Sequence, residues 1–227
     1  MFIGNITQLK YIINMKKKFL TSAFLLLLSI GFISAQDQEN LSHFGIKAGV
    51  NLANLYTSDA KSSDMLVGFN AGFFDKMAVS NSFAIQPELY VTTKGASVNY
   101  NNLLTNGSAK FNLTYIELPI VFIANVTDLL NVQFGPYVAY LVDGKVKNGS
   151  NIGLFNFENN INIDNYNRID AGLLVGAGLD FGALSLGARF NLGLTKVGKN
   201  QSILGATYNV PNATNGVINL YLGIAFK

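Results

Sequence analysis

The chain has 227 residues, 49% of them hydrophobic and only 13% charged, with 22 Gly, 4 Pro, no Cys and no Trp. Ordinary soluble domains carry about 25% charged residues, so this chain has half the usual charge. That excludes intrinsic disorder, which needs low hydrophobicity and high charge. It also excludes a coiled coil or long-helix protein, which would be rich in Ala, Glu, Lys and Leu. Zero Cys removes disulfide scaffolds, thiol catalysis and Cys-type zinc sites together. A single His, His43, removes most His-based metal and acid–base chemistry. The length fits one domain of the all-β type.

At the N-terminus, Lys16-Lys17-Lys18 precede an apolar run from Phe19 to Ile33, then Ser34-Ala35 and a polar stretch from Gln36 to Asn40. A basic region, a short apolar region and a small residue at the cut describe a secretory signal peptide. The run is shorter than the roughly 20 residues that span a bilayer, so cleavage after Ala35 is expected in place of anchoring. Met15 sits directly before the lysines and is the expected start, which makes residues 1–14 an extension. Residues 36–227 then form one domain. The four lysines of the leader take with them the excess of 16 basic over 13 acidic residues, leaving a net charge of −1. No basic patch remains for nucleic acid.

After Ala35, period-two alternation recurs in eight segments, which reads as strands. Phe44, Ile46, Ala48, Val50 and Leu52 alternate with Gly45, Lys47, Gly49 and Asn51. Val67 to Phe73 and Phe83 to Val91 follow, the latter with Gln86, Glu88 and Tyr90 on its polar side. A less regular segment near 111–124 sets Ile116, Leu118 and Ile120 against Tyr115 and Glu117. The remaining four run over Val132–Tyr140, Asp170–Leu179, Leu184–Leu194 and Ile218–Phe226. Most are as long as the strands of membrane barrels.

The connections alternate in length. Short links fall near 79–82, 125–129 and 182–183, and long polar ones near 56–64, 97–110, 144–167 and 197–216. Short turns at one end and long loops at the other are the arrangement of outer-membrane barrels, with both termini on the periplasmic side. The expected fold is an all-β, eight-stranded, antiparallel, up-and-down transmembrane β-barrel. Sterics decide which face is outside: an eight-stranded barrel has an interior just wide enough for side chains, and the bulky Leu, Phe, Ile and Val face would overfill it. Lys47, Glu88, Glu117, Asp170 and Arg189 all lie on the opposite, polar face. A Lys or Arg at mid-bilayer costs about 2–4 kcal/mol, so these five are expected in the lumen as a charge network. Arg189 is the expected hub, because its guanidinium fork can bridge two carboxylates. Pro87, Pro119 and Pro136 interrupt predicted strands, and bulges or strand ends are expected beside them.

Several segments carry a family likeness. Gln86-Pro87-Glu88-Leu89-Tyr90 with Lys94-Gly95, Tyr115-Ile116-Glu117-Leu118-Pro119, and Gly135-Pro136-Tyr137 resemble the porin-like outer-membrane β-barrel family abundant in Bacteroidetes. So do Asp170-Ala171-Gly172 with Gly176-Ala177-Gly178, and Arg189-Phe190-Asn191-Leu192-Gly193-Leu194. The likeness covers residues 42–227 and implies an eight-stranded barrel without implying a substrate. Tyr221, Gly223 and Phe226 resemble the C-terminal signal read by the outer-membrane assembly machinery, with Lys227 as one residue beyond the usual end.

No catalytic constellation, metal site or cofactor site is expected. His43 precedes the first strand at the short-turn end, away from where barrel enzymes keep their histidine. Residues 156–167, rich in Asn with Glu158 and Asp164, lack the glycine and spacing of a calcium loop. The expected role is an integral outer-membrane barrel with a side-chain-filled lumen and long extracellular loops, structural or for interaction. A narrow channel or solute-binding barrel, and more distantly a soluble periplasmic lipocalin-like binder, are the competing readings. The expected partners are outer-membrane lipid, the assembly machinery and an extracellular ligand for the loops.

Overall fold

The computed structural model describes residues 42–56, 65–101, 106–150, 157–160, 163, 166–198, 200–203, 206–209 and 213–226. The expected signal peptide lies outside them. Eleven strands are described: β1 (Ser42–Tyr56), β2 (Leu66–Ser80), β3 (Phe83–Asn101), β4 (Asn106–Asn125), β5 (Leu130–Ser150), β6 (Phe157–Asn160), β7 (Ile169–Phe181), β8 (Leu184–Gly193), β9 (Asn200–Ile203), β10 (Ala206–Asn209) and β11 (Thr214–Ala225). Hydrogen-bonded order runs β4-β3-β2-β1-β11-β8-β7-β5, and β5 pairs back to β4. That last pairing closes a ring of eight antiparallel strands and leaves no open edge in it. The strands β6, β9 and β10 are additions at the end away from the short turns.

Alternation sorts the side chains as the sequence predicts. Leu186, Leu220, Val175 and Phe134 point outward and are exposed. Lys47, Glu88, Glu117, Asp170 and Arg189 point inward and are buried. A soluble lipocalin-type barrel would show the reverse. The interior is not lined by small residues alone, however. Tyr90, Tyr137 and Tyr221 lie inside and face glycines on adjacent strands. A Cβ on Gly72 would come within 2.6 Å of the Tyr90 ring, and one on Gly172 within 2.7 Å of the Tyr137 ring. Gly45, Gly72, Gly172 and Gly187 are slots for the rings of Phe74, Tyr90, Tyr137 and Tyr221.

The prolines behave differently from expectation. Each removes a backbone donor, yet none ends a strand or shifts its register. The β2–β3 ladder skips the two positions opposite Gln86 and Pro87, then resumes in the same register. The β3–β4 ladder does so at Pro119 and the β4–β5 ladder at Pro136. Register shifts fall elsewhere, at Ala78/Ser80 and at Thr114/Tyr115. Long ladders on both sides hold the frame across each gap. A further difference concerns the wall height: β3, β4 and β5 have 19, 20 and 21 residues, against 13, 10 and 12 for β7, β8 and β11. Much of the expected 97–110 and 144–167 connections is therefore strand. At the short-turn end, Gly182 takes φ +66° in the two-residue link between β7 and β8, as tight hairpins demand.

Candidate functional site

The chemistry of the described residues is concentrated inside the ring. At the short-turn mouth, Lys76 of β2 meets Asp180 of β7 at 2.8 Å, and the Asn131 amide donates to the same carboxylate at 2.9 Å. In the ring order β2 and β7 lie four strands apart, on opposite walls.

One level inward, Glu88 of β3 accepts from Lys47 at 2.6 Å. It also accepts from both terminal nitrogens of Arg189, at 2.6 and 2.9 Å, and from the Gln86 amide. β3 and β8 are again opposite walls. Arg189 Nε donates to Gln133 at 2.7 Å, and Gln133 donates to the Tyr221 hydroxyl at 2.6 Å. Both cations lie over the Tyr221 ring, Lys47 at 4.4 Å and Arg189 at 4.7 Å. Cations attracted to a ring face in a desolvated setting lose less by burial than bare ones.

Above this level Asn51 gathers neutral contacts. It donates to Thr92 Oγ1 at 2.8 Å and to the Thr93 carbonyl at 2.9 Å, and accepts from Asn70 and Asn219 at 2.9 Å each. A cavity of about 20 Å³ follows, bordered by Arg189 below and by Lys94 and Glu117 above. That is room for about one water molecule.

The next level inverts the first. Lys94 of β3 lies 2.5 Å from Glu117 and 2.9 Å from Asp170. Asp170 also accepts from Asn215 and Thr195 at 3.0 Å each, and Glu117 accepts from Asn191 at 3.2 Å. The Lys94 ammonium lies 4.3 Å from the Tyr137 ring centroid. Beside it Gly95 takes φ +149°, and a Cβ there would collide with the Phe111 carbonyl. Outermost, Leu113, Tyr115, Tyr137, Ala139, Leu141 and Val197 form an apolar cluster, with Ile163 and Tyr166 of the long connections packed on it.

The five residues expected as one network thus fall into two clusters, Lys47–Glu88–Arg189 and Glu117–Asp170. Arg189 does not bridge two carboxylates; both arms of its fork close on Glu88, and Glu88 is the hub. The second hub, Lys94, was not among the expected charges, although Gln86, Glu88, Tyr90 and Thr92 put it in phase. Lys76 and Asp180 continue the polar faces of their strands in the same way. Of the expected C-terminal residues, Tyr221 points inward, whereas Phe226 is exposed outside and packs on Phe44 with ring centroids 6.1 Å apart. His43 is exposed at the start of β1. No cluster of metal-ligating side chains exists among the described residues.

A closed ring of eight strands, bulky and apolar outside, with the inward charges of the described residues in pairs, defines an integral β-barrel of an outer membrane. The chain belongs to the family described as outer membrane protein beta-barrel domain, whose model matches residues 34–198. The protein is therefore one of the bacterial outer membrane. Solved structures with a similar course include Ail, the attachment invasion locus protein of Yersinia pestis, seen in complex with the heparin analogue sucrose octasulfate. It is 14% identical, with 82% of this chain and 99% of that one covered and a TM-score of 0.44. Neisserial surface protein A is 16% identical, with 81% and 97% covered and a TM-score of 0.46. No curated protein matches the sequence.

Proposed function

We propose that the protein is an outer-membrane barrel closed to ions, which reinforces the envelope or presents its long connections to an extracellular partner. The observation that carries this reading is the two-armed Arg189–Glu88 contact, which ties opposite walls across the ring. An ion moving along the axis has to break it, and breaking one side of a buried pair costs about 3–5 kcal/mol. The water-sized cavity above it and the apolar cluster at the outer end support the same reading. A narrow channel needs a continuous aqueous path, which the Arg189–Glu88 contact interrupts. In this reading the short turns face the periplasm, the leader is cut after Ala35, and Phe226 belongs to the assembly signal.

Planar-bilayer recordings test it. Silence from the unmodified protein with openings in Arg189→Ala supports closure; large, steady channels from the unmodified protein refute it. For the signal, Phe226→Ala is expected to lower the amount inserted in cells more than it lowers folding into detergent. Unchanged cellular insertion removes that assignment.

A further inference from the structure

Two residues beyond Glu88 and Arg189, the same two strands bring Tyr90 and Asn191 to the small cavity between the charge clusters. Glu117 of β4, the ladder partner of Tyr90, lines it as well. All three side chains are buried. Each carries a polar atom with no hydrogen-bond partner among the described residues: Tyr90 Oη, Asn191 Oδ1 and Glu117 Oε2. Two further such atoms, on Tyr115 and Asn215, do not line this cavity. Glu117 Oε2 keeps its ion pair with Lys94, which leaves it a lone pair to spare. Asn191 spends its amide nitrogen on Glu117 Oε1, so its carbonyl oxygen is left over. The direct acceptor nearest to hand for the tyrosine is full. Glu88 already accepts from Lys47, from Gln86 and twice from Arg189, and a carboxylate has about four such places. What remains is one hydroxyl donor and two oxygen acceptors around about 20 Å³. Leaving buried groups of this kind unanswered is costly. Cavities that stay dry are apolar, whereas a buried water typically makes about three hydrogen bonds to groups that otherwise lack them. Lys94 and Arg189 border the same space and disfavour a cation, and the two acceptors disfavour an anion. One water matches the set, with two protons to give and a lone pair for the tyrosine.

We infer that this cavity is a binding site for a single structural water, which accepts from Tyr90 Oη and donates to Asn191 Oδ1 and Glu117 Oε2. Because β3 and β8 are opposite walls, the water ties them one rung beyond the direct Arg189–Glu88 contact. The site does not depend on whether the barrel conducts. The test is a crystal structure of the refolded full-length protein at a resolution that shows ordered waters, paired with urea unfolding of variants. One density peak within hydrogen-bond distance of all three atoms is expected, and rubidium in the crystal medium should give no anomalous signal there. Val217 lines the same cavity, and Val217→Ile adds a methyl group that takes the water's place. Tyr90→Phe is expected to lower the folding equilibrium constant about fivefold in the otherwise unmodified protein, a typical worth for one hydrogen bond. In the Val217→Ile background it should cost nothing, because the hydroxyl has already lost its partner. The crystal result stands by itself if Val217→Ile does not fold. A cavity without a peak, or a rubidium signal within it, overturns the proposal. So does a Tyr90→Phe change that costs nothing in the unmodified protein, or as much in both backgrounds, because the hydroxyl then has no water or a partner in the protein.

Discussion

Glu88 and Lys94 lie six residues apart on one strand and play inverse parts. Glu88 is one anion held between two cations, and Lys94 is one cation held between two anions. The neutral contacts around them differ too. Asp170 keeps Asn215 and Thr195 if Lys94 is lost, and Glu117 keeps Asn191. Among the described residues, Lys47 without Glu88 retains ring faces, and Arg189 retains Gln133 and the Tyr221 ring. A carboxylate has two acceptor oxygens that neutral amides and hydroxyls can serve, whereas a stranded ammonium needs an acceptor. The inner cluster is the more brittle one. Glu88→Gln is accordingly expected to cost about 3–5 kcal/mol in urea unfolding from detergent or bilayers. Adding Lys47→Met to it should recover part of the loss. A cost below about 1 kcal/mol would mean that water reaches this level and screens it.

The outer face gives the comparison a reference point, because a charge introduced into its apolar belt meets lipid. Leu186 and Asn191 lie on one strand and on opposite faces. Leu186→Arg is expected to oppose bilayer folding by about 2–4 kcal/mol near the midplane. Asn191→Gln, facing inward, should be much milder. Equal effects at the two positions would invert the assignment of faces. Lys94→Met comes next, at about 1–3 kcal/mol, the worth of hydrogen bonds to charged groups when other donors remain. If Lys94→Met proves as costly as Glu88→Gln, the neutral donors around Asp170 and Glu117 contribute little.

The faces were legible from alternation, since a period of two assigns each residue to one side whatever the tertiary context. Lys47 and Arg189 followed directly. Lys94 is equally in phase, but the alternation of the third predicted segment dissolves after Val91 into Thr92, Thr93 and Lys94. The structure continues the strand to Asn101. What alternation cannot give is height. Tilted strands in a barrel are staggered by the shear, so residues that meet across the lumen are fixed by the sum of several registers. Arg189 reaches Glu88, on the opposite wall and 101 residues away in sequence, and no local pattern encodes that. The prolines misled for the opposite reason: the local rule holds, but long ladders on either side absorb a skipped pair.

The smallest effect expected is at the short-turn mouth, where Lys76 and Asp180 join the same kind of opposite walls as Arg189 and Glu88. Their side chains are 24% and 26% exposed, against 3% and 0% for the inner pair. Solvent there screens the attraction and offers each group an alternative partner, and exposed pairs contribute roughly 0–1 kcal/mol. Asp180 also keeps the Asn131 amide. Lys76→Met is therefore expected to shift unfolding by less than about 1 kcal/mol, with planar-bilayer recordings as silent as those of the unmodified protein. Arg189→Ala differs in both respects, since it removes the tie at the level where no solvent substitutes for it. Steady openings in Lys76→Met with Arg189 intact would place the barrier at the mouth, and the two inner clusters would then hold the wall without closing it.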